Sequence, residues 1–335
     1  MPLDPPFSIS DSTSKFLAGV VVVLCNYGSS MGSSVVSWIP AYEVQEAASI
    51  LQKGFAGGLS PAQTLSRLAF QFWVPVEGAL MLDKRVREAE VRQLVSLAKR
   101  NDLEVLLCIA NAYTDAEGEG FSWDRAKAAF ADKREAFVEQ ILAEVEKYGM
   151  NGVEIDLESE RDGLTSEDRS AYAAFVTALA KELHSRGKIL TISSLAGRWF
   201  GPNNTWWQDW ANVVDGIQSM GYSEVGKAGT QDWDSYQAQV SLWIKAGGDP
   251  KKFANGVSVY LKHWKGGSVE ENLAALYDVA QATGSGVAIW ELSCSAHPEA
   301  VDPGWSTSAN WDWIRKIREV TGPGKVDTTR SPRAP

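Results

Sequence analysis

Cysteine is scarce in this chain. The three in 335 residues, Cys25, Cys108 and Cys294, are too few and too scattered for a disulfide framework or a zinc site with paired ligands. They read as buried thiols. Cys25 and Cys294 are the one pair that neighbouring strands would bring together, and no bridge is expected, because adjacent parallel strands seldom align the two Cβ vectors. Basic charge is also short: 32 Lys and Arg stand against 42 Asp and Glu, a net charge of −10. No Lys/Arg cluster forms the basic stripe of a nucleic-acid binder, so a neutral or weakly charged partner fits better. His184, His263 and His297 lack ligand spacing, and no metal is expected. Long apolar runs are nearly absent too. The only one, "FLAGVVVVLC" from Phe16, is too short to span a bilayer. It follows Asp4, Asp11 and a single Lys15 rather than the positive flank of a secretory signal. It is expected to be a buried first strand, with no membrane association.

What the chain does have is apolar content of 44%, enough for a large core, and 14 Trp, whose flat faces fill cores and stack on ligands. Apolar, β-branched runs alternate with helix-patterned segments, the pattern of βα units around a parallel sheet. The expected strands are Ala18–Asn26, Arg67–Val74, Glu104–Ala110, Gly152–Leu157, Ile189–Ser194, Gly216–Met220, Asn255–Tyr260 and Gly286–Glu291. Helices are expected at 41–53, 84–100, 124–148, 166–186, 205–211, 232–246, 268–283 and 310–320. Eight of each suit a single (β/α)8 TIM barrel. It is expected to cover residues 16–322, between flexible segments at 1–15 and 323–335. A monomer is expected.

One strand is unusual. "YGMNGVEIDLESE", residues 148–160, places Glu154, Asp156 and Glu158 at alternate positions. Side chains alternate along a strand, so the acids share one face and Ile155 and Leu157 take the other. In a barrel the apolar pair packs under the helices and the acids point inward. Glu158 then lies at the strand's C-terminal end, where the active sites of such barrels are built. Like charges this close cannot all ionise freely, so at least one carboxyl should hold its proton toward neutral pH.

"NGVEIDLE" resembles the D-G-x-D-x-D-x-E strand signature of glycoside hydrolase family 18, the chitinases and related endo-β-N-acetylglucosaminidases. Gly152, Asp156 and Glu158 fit it, whereas Asn151 and Glu154 stand where the family usually has aspartates. "SMGYSE" is similar to the family's sixth-strand Met-x-Tyr-Asp, with Met220 and Tyr222 matching and Ser223 replacing the aspartate. "GVAIWELS" is similar to the eighth-strand segment whose tryptophan, here Trp290, floors the sugar subsite. "LLCIANAY" departs from the strand-three Ser-x-Gly-Gly, and its Cys108–Asn111 segment is expected to line the same site, with Asn111 against the substrate.

The resemblance implies a substrate-assisted retaining hydrolysis of β-1,4-linked N-acetylglucosamine polymers or glycans, with no metal or organic cofactor. Glu158 would be the acid and base, Asp156 would orient the acetamido group, Tyr222 would hydrogen-bond its carbonyl, and Trp290 would stack under the ring. Glu154 would share a proton with Asp156, with Asn151 taking up its extra methylene. About seven residues separate Tyr260 from Ser268, too few for the inserted α+β subdomain of one branch of the family. A shallow, endo-acting cleft is therefore expected. Trp73, Tyr113, Trp199, Trp206, Trp207, Trp264 and Arg198 are candidates for the sugar-binding rim. A second functional class is a sugar-binding, lectin-like barrel that kept the cleft and lost turnover; the retained Glu158 favours the hydrolase. A barrel adapted to another acetamido sugar is a third.

Overall fold

Strands that are apolar on both faces need helices outside and a filled interior, and a closed parallel barrel supplies both. The computed structural model describes residues 34–115, 118–159, 164–197, 201–223, 225, 233–264, 266–294 and 297–322. The chain runs β1 (Val35–Pro40), α1 (Val44–Lys53), α2 (Pro61–Thr64), β2 (Arg67–Val76), β3 (Ala79–Leu82), α3 (Glu88–Arg100), β4 (Glu104–Ala110), β5 (Ala112–Asp115) and β6 (Gly118–Phe121). It continues through α4 (Trp123–Lys127), α5 (Arg134–Tyr148), β7 (Gly152–Asp156), α6 (Ser166–Ser185), β8 (Ile189–Ser194), β9 (Gly216–Ser219) and α7 (Tyr236–Lys245). β10 (Phe253–Ser258), α8 (Val269–Thr283), β11 (Gly286–Trp290), α9 (Pro303–Thr307) and α10 (Ala309–Thr321) complete it. Eight parallel strands pair in the order β1-β2-β4-β7-β8-β9-β10-β11, and β1 returns to β11 to close a (β/α)8 TIM barrel. β10 and α8 are joined by a short connection holding a single turn at Leu261–His263, with no inserted subdomain.

The first strand differs from expectation. Val35–Pro40 occupies the place between β11 and β2, and the run Ala18–Asn26, with Cys25, lies outside the described residues. Two further expectations change shape. The helix expected over 124–148 breaks into α4, a π-type turn at Ala128–Asp132 and α5. That turn seats Phe130 in the core, edge-on to Trp123 with ring centroids 5.2 Å apart. The helix expected at 205–211 is one 3₁₀ turn, Trp207–Asp209, anchored by buried Trp207 and Trp210.

Register explains which side chains reach the interior. Cys108 pairs with Glu154 and Glu154 with Thr191, while Ala110 pairs with Asp156, so these residues share the inner face. The inner cluster is mostly small: Val36, Ala69, Cys108, Ala254 and Ala288 surround Trp38, with Trp290 packed on top. Arg67 and Glu104, an ion pair at 2.5 Å, belong to the start of β2 and β4 at the opposite end. The much larger outer core carries Val153, Ile155 and Leu157 against the helices.

The approach to the acid-bearing strand is tightly constrained. α5 ends at Gly149, whose φ of 61° is the left-handed conformation that glycine adopts without cost. At Gly152, which opens β7, an added Cβ would lie 2.1 Å from the Ile189 carbonyl oxygen of β8. The glycine of the strand signature is thus required by close backbone approach. After the strand, Thr165 and Asp168 form a reciprocal cap that starts α6: the Asp168 N–H donates to Thr165 Oγ1 and the Thr165 N–H to Asp168 Oδ2.

Candidate active site

At the C-terminal ends of the strands lies a cleft of about 680 Å³ whose lining includes Trp38, Gln71, Asp156, Glu158, Met220, Tyr222 and Trp290. Five different segments deliver these side chains, which is what a barrel's inward alternation and its βα loops do. Tyr42, Asp83, Arg85, Phe121, Lys262 and His263 form more of its wall.

Glu154 is the deepest of the three acids and fully buried. Trp38 Nε1 donates to Oε1 at 2.7 Å, Ser193 Oγ to Oε1 at 2.5 Å and Thr191 Oγ1 to Oε2 at 3.3 Å. Burial raises its pKa from an ordinary 4.5 to about 7; the Ser193 and Trp38 hydrogen bonds oppose that rise and the Asp156 charge adds to it. Asn151 takes no part. It is exposed and its Oδ1 accepts from the Val105 N–H at 2.9 Å, so the expectation that it compensates for the longer Glu154 is corrected. The added methylene is accommodated by the three donors from β1 and β8.

Asp156, one step up the strand, has its carboxyl divided between two surroundings. Oδ2 accepts from Gln71 Nε2 of β2 at 2.6 Å, while Oδ1 is buried with no hydrogen-bond partner among the described residues. Desolvation raises its pKa, and the Gln71 hydrogen bond pulls it back down.

Glu158 follows the end of β7, half-buried on the cleft wall. Its backbone is clamped by Asn111: Asn111 Nδ2 donates to the Glu158 carbonyl at 2.6 Å and the Glu158 N–H to Asn111 Oδ1 at 2.7 Å. Asn111, only 2% exposed, therefore braces the acid's loop, whereas a place against the substrate was expected.

Tyr222 projects from a 3₁₀ turn after β9, its ring 5.1 Å from that of His263. Burial first, then the charges of Glu158 and Asp156, push its hydroxyl well above the usual tyrosine range, so it remains a neutral donor. Trp290 also lines the cleft, edge-on to Trp38 at 6.0 Å.

Trp73 does not reach the cleft. A bulge in the pairing of β2 with β4 between Gln71 and Trp73 shifts the alternation, so Gln71 faces inward and Trp73 turns out under the helices. There it is 1% exposed, packs on Tyr148 and donates to Glu144 Oε2 at 3.2 Å. Trp206 and Trp207 are likewise buried, the latter donating to Ser194 Oγ. Trp264 is half-buried and donates to the Ser258 carbonyl. Arg198 and Trp199, and the side chains of Tyr113 and Ser223, lie outside the described residues.

Sequence reasoning missed several members of the site. Gln71 and Trp38 carried no motif, although both sit on apolar strands at inward positions. Glu291, buried immediately after Trp290, accepts from Tyr42 Oη at 2.5 Å and from Tyr260 Oη. The two phenols come from segments 249 and 31 residues away. The one available signal was the acid itself, at the end of a strand expected to reach the active face.

Comparisons with known proteins agree with the barrel fold. The family model described as glycosyl hydrolases family 18 matches residues 40–320. Among solved structures, a mutant of catalytic domain 2 of an Ostrinia furnacalis Group II chitinase, in complex with penta-N-acetylchitooctaose (NAG)5, superposes with a TM-score of 0.64. It is 15% identical, and the match covers 86% of this chain and 96% of that one. The chitinase ChiB from the chitin utilization locus of Flavobacterium johnsoniae gives 0.60 at 19% identity, covering 86% and 94%. The Bacillus cereus spore cortex-lytic enzyme SleL gives 0.58 at 17%, covering 85% and 74%. No curated protein sequence matches. At these identities the solved structures speak for the fold, and the family model for descent: the chain belongs to glycosyl hydrolase family 18.

Proposed function

We propose that the protein hydrolyses β-1,4-linked N-acetylglucosamine polymers or glycans by a substrate-assisted, retaining mechanism. The observation that carries the reading is the Asp156 carboxyl on the cleft wall, with Oδ2 committed to Gln71 and Oδ1 buried without a donor. A buried acceptor left unmade costs about 1–3 kcal/mol, and an acetamido N–H would satisfy it once the carboxyl turns to open Oδ1 to the cleft. The complex of the Ostrinia domain with (NAG)5 supports the choice of sugar.

In this mechanism Trp290 stacks under the reacting ring. Glu158 gives its proton to the glycosidic oxygen as the bond to C1 breaks. The acetamido oxygen of the same sugar attacks C1, and the positive charge spreads into an oxazolinium ring whose N–H is held by ionised Asp156. Tyr222 donates to the acetamido carbonyl and turns it toward C1. Glu158, now a carboxylate, takes a proton from water, which opens the ring with net retention and restores the acid. Glu154 tunes the stack from below: its raised pKa lets it hold a proton beside Asp156, so that Asp156 carries the charge.

The test is cheap. A chromogenic chitobioside should be cleaved by the protein and not by Glu158→Gln. Binding of chito-oligosaccharide without cleavage by the parent protein would instead establish the lectin-like alternative.

A further inference from the structure

Asp156 does not rely on a neighbour from its own strand or from β4. Ala110, its register partner on β4, carries no donor, and Cys108, one layer below, is a buried thiol whose pKa is raised by desolvation and then by the surrounding carboxylates. Among the described residues the donor to Asp156 is Gln71, from β2, with β4 between them in the sheet. Gln71 is in register with inward-facing Cys108 and is the last residue of β2 to keep the inward alternation before the bulge turns Trp73 out. Gln71 is half-buried and itself lines the cleft.

A side-chain amide in this place has a definite chemical consequence. Nε2 is only a donor, so Oδ2 of Asp156 must present a lone pair to it. While Nε2 faces Oδ2, a proton on Asp156 goes to Oδ1, the oxygen without a partner among the described residues; placing it on Oδ2 would require the amide to turn its Oε1 inward. The amide thereby sorts the two oxygens, one for the protein and one for the ligand. A proton on Oδ1 and a substrate N–H at Oδ1 exclude one another.

We infer that Gln71 is a positioning residue that reserves Oδ2 of Asp156, holds the carboxylate ionised, and leaves Oδ1 as the acceptor for the substrate's acetamido N–H. This rests on the hydrolase reading of Asp156. The sign follows from the chemistry. Activity needs ionised Asp156, so it falls as pH drops through the pKa of that group, and loss of a donor to the charged form moves the fall to higher pH.

The experiment uses Gln71→Met, which keeps length and removes the donor, and Gln71→Glu, which donates only while protonated. With a chromogenic chitobioside, the acid limb of kcat/KM for Gln71→Met should rise by about one to two pH units, the worth of a hydrogen bond to a charged group. On the low-pH side activity should fall about ten- to a hundredfold, and the plateau should change far less. Gln71→Glu should retain the parent's acid limb more closely and lose activity on the alkaline side as the new carboxyl ionises. A role in packing or general substrate contact would lower the plateau without moving either limb.

In parallel, the Asp156 carboxyl carbon is titrated by ¹³C NMR in the free protein, assigned through Asp156→Asn. Its midpoint should rise in Gln71→Met. An unchanged midpoint overturns the inference whatever the activity. A raised midpoint in a protein that never cleaves the chitobioside sinks the hydrolase reading and leaves the assignment of Gln71 to Asp156 standing.

Discussion

Burying a carboxyl among neutral donors couples the stability of the barrel to pH, and Glu154 makes the effect measurable without any substrate. It is fully buried, and its pKa is raised from an ordinary 4.5 to about 7, burial being the principal cause. The folded state therefore holds the proton more tightly than the unfolded chain. The stabilisation is fully present below pH 4.5 and is lost as pH rises to 7, after which it stays lost. At ~1.4 kcal/mol per pH unit the whole loss is about 3 kcal/mol, most of which falls between pH 5 and pH 8.

Glu154→Gln removes the titration while keeping the shape. Its carbonyl can still accept from Trp38 and Ser193, and its amide can donate to Thr191 Oγ1, which rotates to accept. Urea denaturation of both proteins at pH 5 and pH 8 isolates the titration of Glu154 together with its coupling to Asp156, because the more distant titrating groups are common to the two. The parent should lose about 2–3 kcal/mol relative to Glu154→Gln over that interval. Parallel stability curves would refute the reasoning, since they would mean that Glu154 titrates alike in the folded and unfolded chains.

Four other outcomes are expected. Glu158→Gln should lower turnover by about 10²–10⁴ with chito-oligosaccharide affinity by calorimetry nearly unchanged, and turnover equal to the parent's would remove Glu158 as the acid. Asn111→Ala deletes both side-chain hydrogen bonds to the Glu158 backbone, each worth about 1 kcal/mol; it should lower kcat more than it raises KM, and an untouched kcat would show that the brace is dispensable. Trp290→Ala should weaken sugar binding, whereas Trp73→Ala should cost about 3–5 kcal/mol of stability and spare KM; the reverse pattern would put Trp73 back in the cleft. Polymer digests followed by chromatography should show intermediate lengths early, as expected of an open cleft without the inserted subdomain, and disaccharide alone from the first time point would contradict endo cutting.

Legibility followed the range of the interaction concerned. Strands covered by helices are continuous apolar runs, a local property, and β4 and β8 fall on their expected bounds, Glu104–Ala110 and Ile189–Ser194. The acid stack was legible for the same reason: period-two alternation puts Glu154 and Asp156 on one face without any knowledge of the rest of the chain. β1 was missed because Val35–Pro40 is broken by Ser37 and Pro40, while "FLAGVVVVLC" is the more strongly apolar stretch. Hairpin strands of four residues, β3, β5 and β6, are too short to establish a period. Trp73 was misplaced by one irregularity, since a bulge changes the face of the residues beyond it and leaves no composition signal. Gln71 with Asp156 and Tyr42 with Glu291 are 85 and 249 residues apart, and only closure of the barrel makes them neighbours.

The departures from the family's strand motifs are therefore linked to one another. Cys108 and Ala110 on β4 offer the acids no useful donor, and the donors come instead from Trp38 on β1, Gln71 on β2, and Thr191 and Ser193 on β8. Those strands approach from the sides and across the barrel, so the lowest acid must reach further than an aspartate would. Glu154 has that reach. A carboxylate withdrawn by one methylene would strand the Trp38 N–H and the Ser193 hydroxyl in a closed interior, at about 1–3 kcal/mol for each donor left unmade. Seen through its hydrogen bonds, a glutamate at 154 is what this arrangement of donors requires, and restoring an aspartate there alone would worsen the fit unless a donor were also restored on β4.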